Sequence, residues 1–175
     1  MKRLENGLVA LRALEPEDIE LLYGWENDPK LWAVSGTTAP FSRHVLTQFI
    51  ESQLQDIYQT RQMRLVIETA DTHRSIGTFD LFDFDPINAR AGVGVMIYAE
   101  SDMGQGYAAS AIEVGVDYCF RVLGLHQLYA NVAADNRPSL ALFRKMGFEV
   151  VAEKKDWIRC GNSWQTEFML TRINK

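Results

Sequence analysis

The chain has only two cysteines, Cys119 and Cys160, and their separation matches no metal-ligand spacing. A disulfide framework or a zinc ribbon therefore does not hold it together. Its three histidines, His44, His73 and His126, are scattered and form no ligand motif. Each reads as a surface or packing residue, and no metal is expected. No segment approaches the ~18 apolar residues of a membrane span. The opening Met1-Lys2-Arg3-Leu4-Glu5-Asn6-Gly7 carries charge with no apolar run behind it. The expectation is a chain with no secretory leader and no membrane contact, placed in the cytoplasm. Excess positive charge is missing too: 18 Lys and Arg face 23 Asp and Glu, for a net charge of -5. That argues against a nucleic-acid partner, which wants a basic face. No internal repeat, low-complexity tract or long linker interrupts the 175 residues.

What is present suits one globular domain spanning 1–175. Hydrophobic residues make up 47% and charged residues 23%, an ordinary balance for such a domain. A core of this size buries roughly two-thirds of the unfolded surface, so no staple is required. The negative balance is compatible with a cationic substrate, and equally with simple solubility.

Seven strand-like runs and four helical patterns follow one another. Strands are expected over 8–14, 63–68, 75–84, 91–98, 128–133, 148–159 and 164–170. Glu15-Pro16-Glu17-Asp18 opens a first helix, with Ile19, Leu22 and Trp25 as its apolar stripe, and Asn27-Asp28-Pro29 ends it. Ser42 is the expected cap of a second, on which Val45, Leu46, Phe49, Ile50, Leu54 and Ile57 recur at helical spacing. The stretch 30–41, with Trp32 and Phe41, reads as irregular; it could cover a substrate site or simply pack. A third helix runs over about 105–123, with Cys119 on its buried face and Gly124 just past its end. A fourth starts at Asn136-Arg137-Pro138 and stops at Gly147. The fold class is α+β, a mostly antiparallel sheet of about seven strands with about four helices. A parallel crossover is expected only around 91–133.

Two segments carry chemistry. Met103-Gly104-Gln105-Gly106-Tyr107-Ala108 lies between a strand and a helix. Small residues there let a backbone approach a diphosphate, and the helix dipole favours its charge. The loop fits neither the Gly-x-Gly-x-x-Gly dinucleotide fingerprint nor a Walker A loop, which needs Gly-Lys-Ser/Thr. About thirty residues on comes Leu125-His126-Gln127-Leu128-Tyr129-Ala130-Asn131-Val132. Asp135-Asn136, Ser139 and Lys145-Met146-Gly147-Phe148 follow it. In this order and distance the two segments resemble the acyl-CoA-binding core of the GNAT N-acetyltransferases. The branch resembled holds ribosomal-protein N-terminal acetyltransferases and spermidine/spermine acetyltransferases. The likeness extends over about 76–170, and Leu11-Arg12-Ala13-Leu14-Glu15-Pro16-Glu17-Asp18 also looks like the start of these enzymes.

The resemblance implies acetyl-CoA as cofactor, with Met103, Gly104, Gln105, Gly106, Tyr107 and Ala108 holding its pyrophosphate mostly through main-chain amides. Met103 departs from the family's Gln or Arg. Met96, Ile97 and Tyr98 match the strand end that pairs with the pantetheine arm. Asn136 matches a cofactor-contacting asparagine and is also a natural helix cap. Asn131 and Phe143 fall in the same implied cofactor set. Phe143 occupies the place of the tyrosine that many members use to protonate the leaving thiolate, and a phenyl ring cannot do so. Ser139 matches a serine near the thiolate in ribosomal-protein acetyltransferases; its hydroxyl either serves the sulfur or only supports a helical turn. For the base that removes the amine proton, Asp80 and Asp83 match strand carboxylates of spermidine acetyltransferases, and Glu68 ends the strand before. On a regular strand Asp80 and Asp83 face opposite ways, so only a bulge would bring both to one pocket. The run Ala91-Gly92-Val93-Gly94-Val95-Met96 lacks the glutamate many members carry. Trp32, Trp157 and Trp164 could wall an acceptor pocket or simply pack.

The implied activity is direct acetyl transfer to a primary amine, which is a polyamine such as spermidine, another small amine, or a protein N-terminus. Enzymes of this branch are often homo-oligomers. Met103, Phe143 and the missing glutamate leave open a non-catalytic acyl-CoA binder. Nucleotide binding through the Gly104–Gly106 loop is a third possibility.

Overall fold

The computed structural model describes residues 4–175; Met1-Lys2-Arg3, part of the charged opening read above, lies outside them. Seven strands build one sheet: β1 (Val9–Ala13), β2 (Met63–Thr69), β3 (Ser75–Asp85), β4 (Arg90–Ile97), β5 (Gln127–Ala133), β6 (Glu149–Cys160) and β7 (Ser163–Ile173). Their order is β1-β2-β3-β4-β5-β7-β6. Short turns join β2 to β3, β3 to β4 and β6 to β7, and each of these pairs is antiparallel. The β4–β5 pair is parallel, as a helical crossover demands. The architecture is the α+β one expected.

Strand alternation divides the apolar residues between the two faces. Leu65, Ile67, Phe79, Leu81 and Val93 face α5 (Tyr107–Arg121) in one core. Gly115 of α5 lets the helix lie close: a Cβ there would sit 2.3 Å from Phe79 Cζ. Cys119 is buried in this core, and burial pushes its thiol up to about 12. The opposite face of β2 presents Val66 to Leu22 of α1 (Ile19–Glu26) and to Leu46 and Ile50, forming a second core. Full burial of each such side chain contributes roughly 1.5–3 kcal/mol.

Among the described residues six α-helices form, against the about four expected. Asn27-Asp28-Pro29 ends α1 but also starts α2 (Pro29–Ser35), within the stretch expected to be irregular. The Asp28 side chain accepts the Lys30 N–H, Pro29 takes the first turn, and Gly36 closes the helix at φ 71°. The expected second helix splits as well. α3 (Arg43–Ser52) stops before Leu54, which is 80% exposed. Gln53 instead turns its side-chain carbonyl to the Arg64 N–H of β2 at 2.8 Å. Asp56 then caps α4 (Ile57–Thr60), and Ile57 enters the core from there. α6 (Arg137–Lys145) follows β5, capped by Asn136.

Candidate active site

The β4–β5 pairing lasts only three residues, from Arg90↔Gln127 to Gly92↔Tyr129. Beyond Gly92 the strands part, while β4 stays paired with β3 through Ile97. Antiparallel bonding alternates along a strand. The Tyr98 N–H donates to the Ile76 carbonyl, so Tyr98, Met96 and Gly94 turn their backbone towards β3. Val95 and Ile97 therefore direct their N–H and C=O groups to the open side. This corrects the expectation for Met96, Ile97 and Tyr98: of the three, only Ile97 offers backbone to an added chain, and Val95 is its fellow.

At the end of β4 the chain makes a short 3-10 turn, Glu100–Asp102, and enters the glycine loop. Gly104 and Gly106 have φ of 75° and 86°, a left-handed region that glycine enters without strain. The first bond of α5 runs from Ser110 N–H to the Gly106 carbonyl. Among the described residues the N–H groups of 104–109 meet no acceptor. Gly104, Gln105 and Gly106 are exposed, and Met103 is 47% exposed. Tyr107 and Ala108 pack their side chains on the core while their amides open the helix. This cradle of amides at a positive helix end suits a diphosphate. Asp102, just before it, is buried and takes two hydrogen bonds from Arg74, which hold its carboxyl below the usual range.

A cleft of about 990 Å³ opens on the face of the sheet opposite α5, beside the parted strands. Arg64, Asp80 and Gly94 lie across β2, β3 and β4 in one register row on its floor. Arg64 donates Nε to Asp80 Oδ1 at 2.6 Å, Nη2 to Asp80 Oδ2 at 3.2 Å, and Nη1 to Glu26 Oε1 at 2.5 Å. Burial opposes the guanidinium charge, but Asp80 and Glu26 more than offset it. Phe49 stacks against the guanidinium at 5.3 Å. The Tyr98 ring lies flat on Trp25 with centroids 4.2 Å apart, and burial raises its phenol to about 12. Tyr98 is thus a neutral donor at physiological pH.

The structure sorts the residues expected from sequence. Ser139, Asn136, Asn131, Phe143, Met96, Tyr98 and Asp80 all border the cleft. The Asn136 side chain caps α6 by accepting the Ser139 N–H at 3.2 Å, and the Ser139 hydroxyl makes no hydrogen bond among the described residues. Asn131 Oδ1 accepts from Lys154 at 3.1 Å. Phe143 is buried edge-on against Phe148. Asp83 lies outside the cleft: a bulge after Phe82 gives it φ 49° and directs its carboxylate to the Tyr129 hydroxyl at 2.9 Å. Glu68 is also elsewhere, paired with Arg12 at 2.6 Å. Trp157 and Trp164 are exposed on β6 and β7, and Trp32 donates its indole N–H to the Glu26 carbonyl. The tryptophan on the cleft wall is Trp25, and Leu31, Val34 and Ser35 of α2 rim the opening.

Glu26 and Arg64 were missed as site residues. Arg64 had a signal, a charge inside the apolar run Met63-Arg64-Leu65-Val66-Ile67 on the same strand face as buried Val66. Glu26 had none, because its partners lie 38 and 72 residues away.

A family model described as Acetyltransferase (GNAT) domain matches residues 9–149. The spermidine N(1)-acetyltransferase of Escherichia coli (strain K12) is 30% identical over 148 residues, which covers 83% of this chain and 75% of that protein. The crystal structure of spermidine N-acetyltransferase from Vibrio cholerae in complex with CoA and spermine shares the fold, with a TM-score of 0.86 at 24% identity over 96% of each chain. A dodecameric structure of the Vibrio cholerae enzyme matches with a TM-score of 0.79 at 23% identity, over 96% of this chain and 95% of that one.

Proposed function

Because the chain belongs to the GNAT acetyltransferase family, we propose that it acetylates a polyamine of the spermidine type. It is an acetyl-CoA-dependent N-acetyltransferase. The observation that carries the choice of acceptor is the charge of the cleft. Glu26, Asp80, Asp135 and Glu167 line it against Arg64 and Arg159, so its field attracts a multiply charged cation. The spermidine acetyltransferases among its relatives support the same reading.

Acetyl-CoA, when bound, supplies the acetyl group as a thioester. The chain's own residues fit it. The amides of 104–109 would hold its diphosphate, and the backbone of Val95 and Ile97 would hold its extended arm. Gly94 and Asp80 border the cleft where the strands part. The amine must lose a proton to attack, and Asp80, though gripped by Arg64, keeps a lone pair on Oδ1 that can accept it through water. The Ser139 hydroxyl, at the first turn of α6, would donate a hydrogen bond to the leaving sulfur. Orientation of amine and thioester in one cleft supplies a further part of the rate. The unit acts as one domain over 1–175, in a reducing compartment such as the cytoplasm, where Cys119 and Cys160 stay free. Assembly into a homo-oligomer follows the dodecameric neighbour.

A second reading, a protein N-terminal amine as acceptor, is favoured by Ser139 together with Phe143 in the tyrosine's place. Thiol release from acetyl-CoA with spermidine, against an acceptor-free blank, separates the two. Acceptor-dependent release establishes the polyamine reading. Release with an N-terminal peptide but not with spermidine transfers the function to protein N-termini.

A further inference from the structure

We propose that Glu26 is the carboxylate that binds the acceptor's ammonium group, and that Arg64 is the positioning residue that aims it. This rests on the cleft being the acceptor site of the proposed reaction.

The reasoning starts from which carboxylate oxygens are committed. Asp80 uses both: Oδ1 accepts Arg64 Nε, and Oδ2 accepts Arg64 Nη2 and, at 3.3 Å, the Thr78 hydroxyl. Asp135 is exposed and gives only Oδ2 to Gln165, and Glu167 has a cation of its own in Lys154, whereas Glu26 must share Arg64 with Asp80. Glu26 differs. Arg64 Nη1 and the Tyr98 hydroxyl, the latter at 3.5 Å, both converge on Oε1. Among the described residues Oε2 has no hydrogen-bond partner. It is not sealed in the protein either, since no buried side-chain N or O atom lacks a partner among those residues. Glu26 lines the cleft and its side chain is only 13% exposed. Its free oxygen therefore opens into the cleft.

A half-desolvated carboxylate oxygen of this kind calls for a cationic donor. Arg64 neutralises one of the two charges of Glu26 and Asp80 and leaves a net charge of minus one on the floor. An ammonium restores the balance, and it can donate to Oε2 without displacing Arg64. The surrounding rings fit the same guest. Trp25 and Tyr98 present stacked aromatic surface beside Glu26, where an ammonium and its methylene arm both gain contact. Arg64 itself cannot be the ligand, because a guanidinium is a cation with no acceptor for an ammonium; it donates Nε, Nη1 and Nη2 to Asp80 and Glu26 instead. Its role is to hold Glu26 Oε1 so that Oε2 faces outward.

The test is calorimetric titration of spermidine into CoA-loaded protein. E26Q keeps an oxygen for Arg64 and removes the charge. It should weaken spermidine binding at least tenfold while CoA affinity changes less than twofold. R64K keeps the positive charge but loses the fork; it should weaken spermidine binding at least threefold, again with CoA affinity retained. Spermidine affinity within twofold of wild type in E26Q overturns the assignment of Glu26, and so does a wild-type protein that shows no spermidine binding. Unchanged spermidine affinity in R64K removes Arg64 from its positioning role. Turnover is read separately. Binding that depends on Glu26 without spermidine acetylation overturns the polyamine reaction and leaves the anchor standing; acetylation with binding independent of Glu26 does the reverse.

Discussion

Arg74 grips Asp102 with one hydrogen bond to each carboxylate oxygen, at 2.8 and 2.7 Å. Arg74 ends the β2–β3 turn, and Asp102 is the last residue before the glycine loop. A hairpin 28 residues upstream thus fixes the start of the loop whose open amides await the cofactor. The Asp102 side chain is 8% exposed and that of Arg74 53%, so the pair anchors on a nearly covered carboxylate and keeps its cation in solvent.

Loosening that anchor should act on the cofactor. Arg74→Ala is expected to raise KM for acetyl-CoA by roughly three- to tenfold, the scale of one ordinary net hydrogen bond. KM for the amine should change far less. Steady-state kinetics with each substrate varied in turn reads the difference; equal changes in both would assign Arg74 a general structural role.

The same pair sets a pH response. The hydrogen bonds from Arg74 depress the folded-state value of Asp102 below the ordinary 3.8. A depressed carboxylate contributes stability that is fully present above its unfolded value, about 3.9, and is lost as pH falls through the folded value. Wild type should therefore lose stability from about pH 5 downward, and Asp102→Asn should show a smaller loss over that range. Urea unfolding midpoints between pH 7 and pH 3 test this, and parallel curves for the two proteins would contradict it.

Ser139→Ala removes a hydroxyl that has no hydrogen bond of its own and borders the cleft. The expected result is a fall in kcat of up to about a hundredfold, the lower end of acid–base contributions. The cap from Asn136 goes to the Ser139 backbone N–H and survives the change, so α6 and CoA affinity should be retained. Rapid-quench turnover paired with CoA titration separates these effects. Full turnover would remove Ser139 from the chemistry.

Gly106→Val places a β-branched side chain at φ 86°. Left-handed backbone costs such a residue roughly 1–2 kcal/mol or more, and the branch would crowd the amide cradle. CoA affinity should drop at least tenfold while far-ultraviolet circular dichroism still reports the folded helices. Retained affinity would show that the loop does not hold the diphosphate.

The elements were legible wherever a local pattern was enough. Val45, Leu46, Phe49 and Ile50 repeat at helical spacing and do form α3, and β1 to β7 stand within a few residues of their apolar runs. The failures came where two local signals compete. Asp28-Pro29 is both a helix terminator and a helix starter, and only the chain's return over the cleft shows that α2 forms. Leu54 continues the helical spacing of α3, yet Gln53 bonds β2 and ends the helix first.

Determined by the sequence alone were the fold class, the glycine loop at a helix start, the Asn136 cap with Ser139 behind it, and the absence of a tyrosine at Phe143. These depend on neighbours within a turn or a loop, where backbone conformation and spacing act directly. Tertiary structure decided the rest. Asp80 reaches the cleft through its register with Arg64 and Gly94, while a bulge after Phe82 takes Asp83 to Tyr129. Which backbone groups face the parted strands depends on the register of β3 with β4. The meeting of Glu26, Arg64, Asp80 and Tyr98 depends on the end of α1 lying against β2 and the residue that follows β4. Such contacts form between residues tens of positions apart, and pairing register, which no local spacing encodes, selects them.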